Sequence, residues 1–191
     1  PIFRDVYGKL SRLEILNAIR SKGWGRCVSE IRLSELLEEP HYHNEFFVLH
    51  PNTRIDQGHW LSTVSKSDFF LSPPGVIFAW SCNLVEAMAV GTIPITNYPE
   101  WLFPPLRHGI EALTFSTLPE LREAIHLARR MSETQIGEMR RNVIAFYQEH
   151  LAMKPFIKRL MDHPARIVHL HSWQETEAAA REAYLSVQIS D

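Results

Sequence analysis

Apolar positions along the chain switch between short continuous runs and helical spacing. Residues 2–7, IFRDVY, read as a strand that breaks at Gly8. Ser11 and Glu14 then form a Ser-x-x-Glu capping box, which satisfies free amides at a helix start. The helix it opens runs to about Lys22, with Leu13, Leu16 and Ile19 among its apolar positions, and Gly23 and Gly25 end it. Residues 26–31 read as a short strand, 33–39 as a short helix stopped by Pro40, and 45–49, EFFVL, as a strand. A polar loop, 50–58, precedes a helix from about His59 to Lys66 and a strand at 68–71. Then come a Pro-Pro-Gly turn, an apolar helix at 83–90 with Gly91 as its stop, and a strand at 92–96.

The second half is more helical. Residues 99–110 form a proline-rich loop and 111–115 a strand. Thr117-x-x-Glu120 caps a helix to Met131, and Ser132-x-x-Gln135 caps another that places Ile136, Met139, Val143 and Phe146 on one face. A helix near 154–162, a strand at 166–170 and a last helix opened by Ser172-x-x-Glu175 complete the reading. Strands that alternate with helices predict an α/β fold, a Rossmann-like parallel sheet with helices on both faces. Residues 1–163 form that domain and 164–191 a C-terminal extension with a helix. Ligands of such sheets bind beyond the carboxyl ends of the strands, which draws attention to loops 7–12, 50–58, 72–83 and 96–101.

Two groups in those loops could carry chemistry. Gly8, Lys9 and Arg12 stand at a helix start, where a cation opposes the helix macrodipole unless an anion lies between. They are either a phosphate site or a solvated pair. Farther on, Asn83 and Glu86 lie three apart on one face of an apolar helix. Asn83 could be the N-cap with Glu86 reaching back to it, or Glu86 could accept hydrogen bonds from the vicinal hydroxyls of a ribose. The two readings coexist if Ser81 or Cys82 does the capping. Trp80, Tyr98 and Trp101 read as exposed loop aromatics able to stack on a base or sugar, or as apolar plugs.

Composition removes several classes. The 191 residues are 45% apolar and carry a formal net charge of −2, without the basic excess of a nucleic-acid-binding domain. No apolar run approaches the ~20 residues that span a bilayer. The two cysteines, Cys27 and Cys82, make neither a disulfide framework nor a zinc spacing. The ten histidines include His41-x-His43 and His169-x-His171, neither with a third ligand nearby, so no metal site is expected. His50, His59, Arg54 and Asp56 flank the polar loop as candidate substrate contacts. Neither GxxxxGK[ST] nor GxSxG occurs.

The run SDFFLSPPG followed by SCNLVEAMAVGTIPIT resembles the donor-side signature of exostosin-like GT-B glycosyltransferases, through Ser67, Phe69, Leu71, Pro73, Gly75, Ser81, Glu86, Ala87, Gly91, Ile93 and Pro94. A bacterial-type branch, with Asn ahead of the Glu-Ala-Met run, is the closer match. The resemblance covers roughly residues 2–150. It implies the C-terminal half of a GT-B enzyme, which binds a nucleotide-diphosphate sugar without a metal or other cofactor. Glu86 would then hold the ribose, and Lys9, Arg12, Gly75, Ser81 and Asn83 the diphosphate, with Gly8, Arg54 and Tyr98 as candidate donor or acceptor contacts. A glycan or lipid-linked acceptor and the general base belong to an N-terminal GT-B domain outside this sequence. The family's frequent arginines are replaced here by Pro74 and Asn83, which shifts weight onto Lys9 and Arg12 and keeps open a non-catalytic binding module or, more weakly, a sugar-nucleotide epimerase. The expected place is the cytoplasm, at a membrane periphery or otherwise, or the Golgi lumen for a eukaryotic relative.

Overall fold

The computed structural model describes residues 2–28, 33, 37–38, 45–49, 53–75, 80–162 and 164. Among them the chain is α/β, with two small parallel sheets and helices packed on them. The elements in order are α1 (Ile2–Asp5), α2 (Arg12–Ser21), β1 (Arg26–Val28), β2 (Phe47–Leu49), α3 (Gln57–Ser65), β3 (Phe69–Ser72), α4 (Cys82–Ala89) and β4 (Ile93–Thr96). A 3-10 turn at Pro99–Trp101 follows, then β5 (Leu113–Thr114), α5 (Leu118–Ala128), α6 (Glu133–Phe146), a π-helical turn at Tyr147–Leu151, and α7 (Met153–Met161). Strands β1 and β2 pair with each other, and β3, β4 and β5 pair in that order.

Local signals account for most helix starts. Ser11 and Glu14 close the expected capping box on α2, and Ser132 and Gln135 close the one on α6. At α5 the box is altered: Thr117 Oγ1 accepts from the Glu120 amide, but Glu120 Oε2 accepts from the Ser116 amide. The helix starting at α4 departs further. Its N-cap is Ser81, without a side-chain cap hydrogen bond, so the Asn83–Glu86 capping box does not form. Gly91 stops α4 at φ +76°, a left-handed conformation that a Cβ disfavours.

The core lies between β4 and the helices. All four residues of β4 are buried, and Leu84, Ala87 and Met88 of α4 are fully covered at i, i+3 and i+4. Ile15 and Ile19 of α2, Leu121 of α5 and Val143 of α6 meet the same cluster. Thr92, itself buried, donates from Oγ1 to the Val64 carbonyl and joins the end of α3 to the start of β4.

Several expectations change. Residues 2–7 are not a strand: Ile2–Asp5 is a helical turn, held by an Arg4–Glu14 ion pair of 2.6 Å and by edge-on packing of Tyr7 against Trp101. Among the described residues the strands fall in two sheets instead of one. The strands expected at 45–49 and 111–115 are shorter, at Phe47–Leu49 and Leu113–Thr114, and of the one expected at 26–31 the described part, Arg26–Val28, is a strand. The helix at 33–39 falls largely, and the strand at 166–170 and final helix wholly, outside the described residues.

Gly91→Ala should cost about 1–2 kcal/mol for the left-handed backbone. The new Cβ would also lie 2.9 Å from Ile144 Cδ1, which must move aside. Chemical denaturation of the variant checks this, with a lower midpoint and an unchanged slope.

Candidate functional site

The loops that follow β3 and β4 and the start of α2 converge beyond the carboxyl ends of the strands. Arg12, the first residue of α2, donates from Nε to the Pro74 carbonyl at 3.0 Å. That bond fixes the Pro-Pro-Gly turn against α2 across a long sequence gap. Leu10 O accepts from Asn97 Nδ2 at 2.9 Å, which joins the same loop to the end of β4. A cavity of about 1040 Å³ opens here, lined at this end by Arg12, Ser72, Pro73, Ser81 and Asn83.

Tyr98 is the polar hub beneath this end. It follows the buried strand β4 by two residues, and this buries the ring to 1% exposure. Its hydroxyl and that of Ser72 share a hydrogen bond of 2.7 Å, which ties β4 to the end of β3. Burial pushes the phenol above its ordinary range, while the Ser72 and Thr96 hydroxyls, the Arg12 charge and the Ser81 backbone pull the other way. Tyr98 is therefore a core residue and not an exposed stacking platform. Trp101 is half-buried against Tyr7, and Trp80 alone of the three loop aromatics is exposed.

Glu86 is half-buried on α4 and accepts a hydrogen bond of 2.6 Å from Trp60 Nε1 to its Oε2. Trp60 lies on α3, and its ring also packs edge-on against Phe70 of β3 with centroids 5.6 Å apart. A carboxylate accepts several hydrogen bonds, so one indole leaves acceptor capacity at Oε1. Trp60 lines the cavity. Residue spacing does not reveal this partner, because a tryptophan on a separate helix carries no fixed spacing to an acid.

The remaining candidates separate. Lys9 Nζ lies 2.6 Å from Glu100 Oε1, so its charge is partly matched within the protein. The α2 amino end is occupied by its own acid: Glu14 Oε2 accepts from the Ser11 amide, which holds the carboxyl below its ordinary range, with Arg4 adding to the effect. Gly8 takes φ +61° with open space where a Cβ would point. Gly75 is half-buried in the turn after β3. Arg54 is exposed on the loop ahead of α3, and His59 is exposed within 3.9 Å of Asp56. His41, His43, His50, His169 and His171 lie outside the described residues. Among the described residues no cluster of three or more metal-capable side chains occurs, and no helix is long and apolar enough to cross a membrane.

The arrangement thus joins Arg12, Pro73, Ser81 and Asn83 at one mouth; Glu86 does not line the cavity, although its partner Trp60 does. It leaves Lys9 engaged with Glu100 and Arg54 apart. One buried atom was not foreseen: Asn97 Oδ1 has no hydrogen-bond partner. Comparison of the chain with protein-family models, curated proteins and solved structures finds no match.

Proposed function

We propose that the chain is the Rossmann-like donor-binding half of a GT-B glycosyltransferase, which moves a sugar from a nucleotide-diphosphate sugar to a glycan or lipid-linked acceptor. The observation that carries the reading is the amino end of α4. It lacks a side-chain cap, and Ser81 and Asn83 line the same cavity mouth as Arg12. Helix amides and a guanidinium facing one space suit a diphosphate. The site also lies where ligands of parallel α/β sheets bind, beyond the carboxyl ends of β3 and β4. The exostosin-like signature includes Pro73 and Ser81 of this mouth, and Asn83 departs from it.

In this reading Arg12 and the α4 amides stabilise the leaving diphosphate with fixed charge and dipoles, without a metal. Glu86, oriented by Trp60, offers Oε1 to a ribose hydroxyl. The acceptor and the general base belong to a partner domain. A second reading, a binding module without catalysis, draws on two contacts: Glu86 serves as a tether for Trp60, and Lys9 is already matched by Glu100.

Calorimetric titration with UDP, GDP, dTDP, ADP and CMP tests the proposal. One nucleoside diphosphate should bind, its parent nucleoside should bind at least about tenfold more weakly, and a chelator should change neither value. Absence of binding by every diphosphate favours the non-catalytic module.

A further inference from the structure

The last helix among the described residues, α7 (Met153–Met161), has no buried residue. Its apolar side chains, Met153, Phe156, Ile157, Leu160 and Met161, fall at i, i+3, i+4, i+7 and i+8. At 3.6 residues per turn they share an arc of about 140°. In a core helix such an arc is covered. Here it is turned outward: Phe156 and Ile157 are exposed, Met153 is 68% exposed and Met161 80%. The charges on the rest of the helix have one sign. Lys154 and Lys158 follow one margin of the arc, Arg159 lies beyond the other, and the helix holds no acid.

The polar side of α7 fixes this pose. Arg159 donates through Nη1 to the Glu149 carbonyl at 2.7 Å and through Nη2 to the His150 carbonyl, which clamps α7 to the π-helical turn. A second exposed apolar element stands beside that turn. Glu149 and His150 share a recess of about 410 Å³ with Pro104 and Pro105, and Phe103 on the same loop is 91% exposed. The neighbouring acids stand off the helix, Glu149 on the turn next to His150 and Asp162 at the C-cap.

We propose that α7 lies on a membrane surface rich in anionic lipid, with its apolar arc among the upper acyl carbons, its lysines at the headgroups and Phe103 entering beside it. An apolar arc flanked by cations is the pattern of a helix that rests in the bilayer interface without spanning it. Charge selects this occupant. A groove on a protein needs only the apolar arc, whereas each lysine at its margin strengthens adsorption to an anionic surface about fivefold. Nine residues bury little area, so the binding is reversible. The surface shares no residue with the mouth at Arg12 and does not depend on nucleotide binding.

The test is flotation of the full chain with vesicles of phosphatidylcholine, alone or with roughly a third phosphatidylglycerol. The anionic vesicles should bind at least about tenfold more protein, and raising salt from about 0.1 M to about 1 M should remove most of that difference. Phe156→Gln with Ile157→Gln, and separately Lys154→Gln with Lys158→Gln, should each lower the partition by about tenfold or more. Neither pair should move the thermal midpoint, because all four side chains are exposed and glutamine suits a helix. Amide exchange over Met153–Met161 should slow when anionic vesicles are added. No partition, equal partition of the variants, or partition indifferent to lipid charge overturns the proposal. So does slow exchange over α7 that vesicles leave unchanged, which would mean that the chain itself covers the arc. Slowing that grows with protein concentration alone also overturns it and would assign the arc to a second copy.

Discussion

Glu86→Gln is expected to weaken nucleoside diphosphate binding by about 10- to 100-fold while leaving the fold intact. A hydrogen bond to a charged group contributes about 1.5–3 kcal/mol, and 1.4 kcal/mol is tenfold in affinity. Glutamine keeps a carbonyl oxygen that can accept from Trp60 Nε1, so the contact between α3 and α4 survives. What it loses is the charge presented to a ribose hydroxyl. Trp60→Phe makes the complementary change: it keeps an aromatic ring against Phe70 and removes only the donor. Under the donor-binding reading that variant binds the nucleotide more weakly than wild type but better than Glu86→Gln. Calorimetry on both variants, with thermal unfolding as a control, separates the readings. Unchanged affinity in folded Glu86→Gln would reduce the acid to a tether between two helices.

How legible this site was depends on how local each signal is. The starts of α2 and α6 were readable because Ser11–Glu14 and Ser132–Gln135 act over three residues. Gly91 was readable as a stop for the same reason. The motif around Glu86 directed attention to loop 72–83, and Arg12 meets that loop at the Pro74 carbonyl. Non-local facts were hidden. IFRDVY has strand-forming residues, but its ends are held by Glu14 and Trp101 over the strand ends instead of within a sheet. The break between β2 and β3 could not be read from spacing, since parallel pairing is set by distant segments. Tyr98 read either as a stacking surface or as an apolar plug, and its burial bears out the plug. A residue just past a strand is a loop residue in sequence, yet this strand is buried along its full length and takes the next side chains inside with it. Trp60 was missed because its partner lies on another helix.

The second large effect is expected at Tyr98. Tyr98→Ala should destabilise the protein by about 3–5 kcal/mol, the range for truncating a buried aromatic ring. The ring is nearly fully enclosed, so few neighbours can collapse into the space without moving β4 or the start of α4. Tyr98→Phe keeps the ring and isolates the hydroxyl. It strands the buried Ser72 hydroxyl, which should cost about 1–3 kcal/mol. The pair of variants therefore divides packing from hydrogen bonding at one position. The phenol also gives a pH signature. Its folded pKa is raised by burial above the ordinary value near 10, so folding opposes ionisation. The associated stability is complete below that ordinary value and is lost as pH climbs through the higher folded value. Wild type should accordingly lose stability steeply above about pH 10. Tyr98→Phe should show a shallower alkaline decline, with the remainder owed in part to Tyr7, whose phenol burial also raises. Denaturant midpoints measured across that interval decide the matter: equal slopes in the two proteins would mean that Tyr98 ionises without consequence for the fold. The arrangement also links stability to the site. The hydroxyl that holds β3 to β4 lies beneath the mouth formed by Arg12, Ser81 and Asn83, so Tyr98→Phe should weaken diphosphate binding as well, although the residue never touches the ligand.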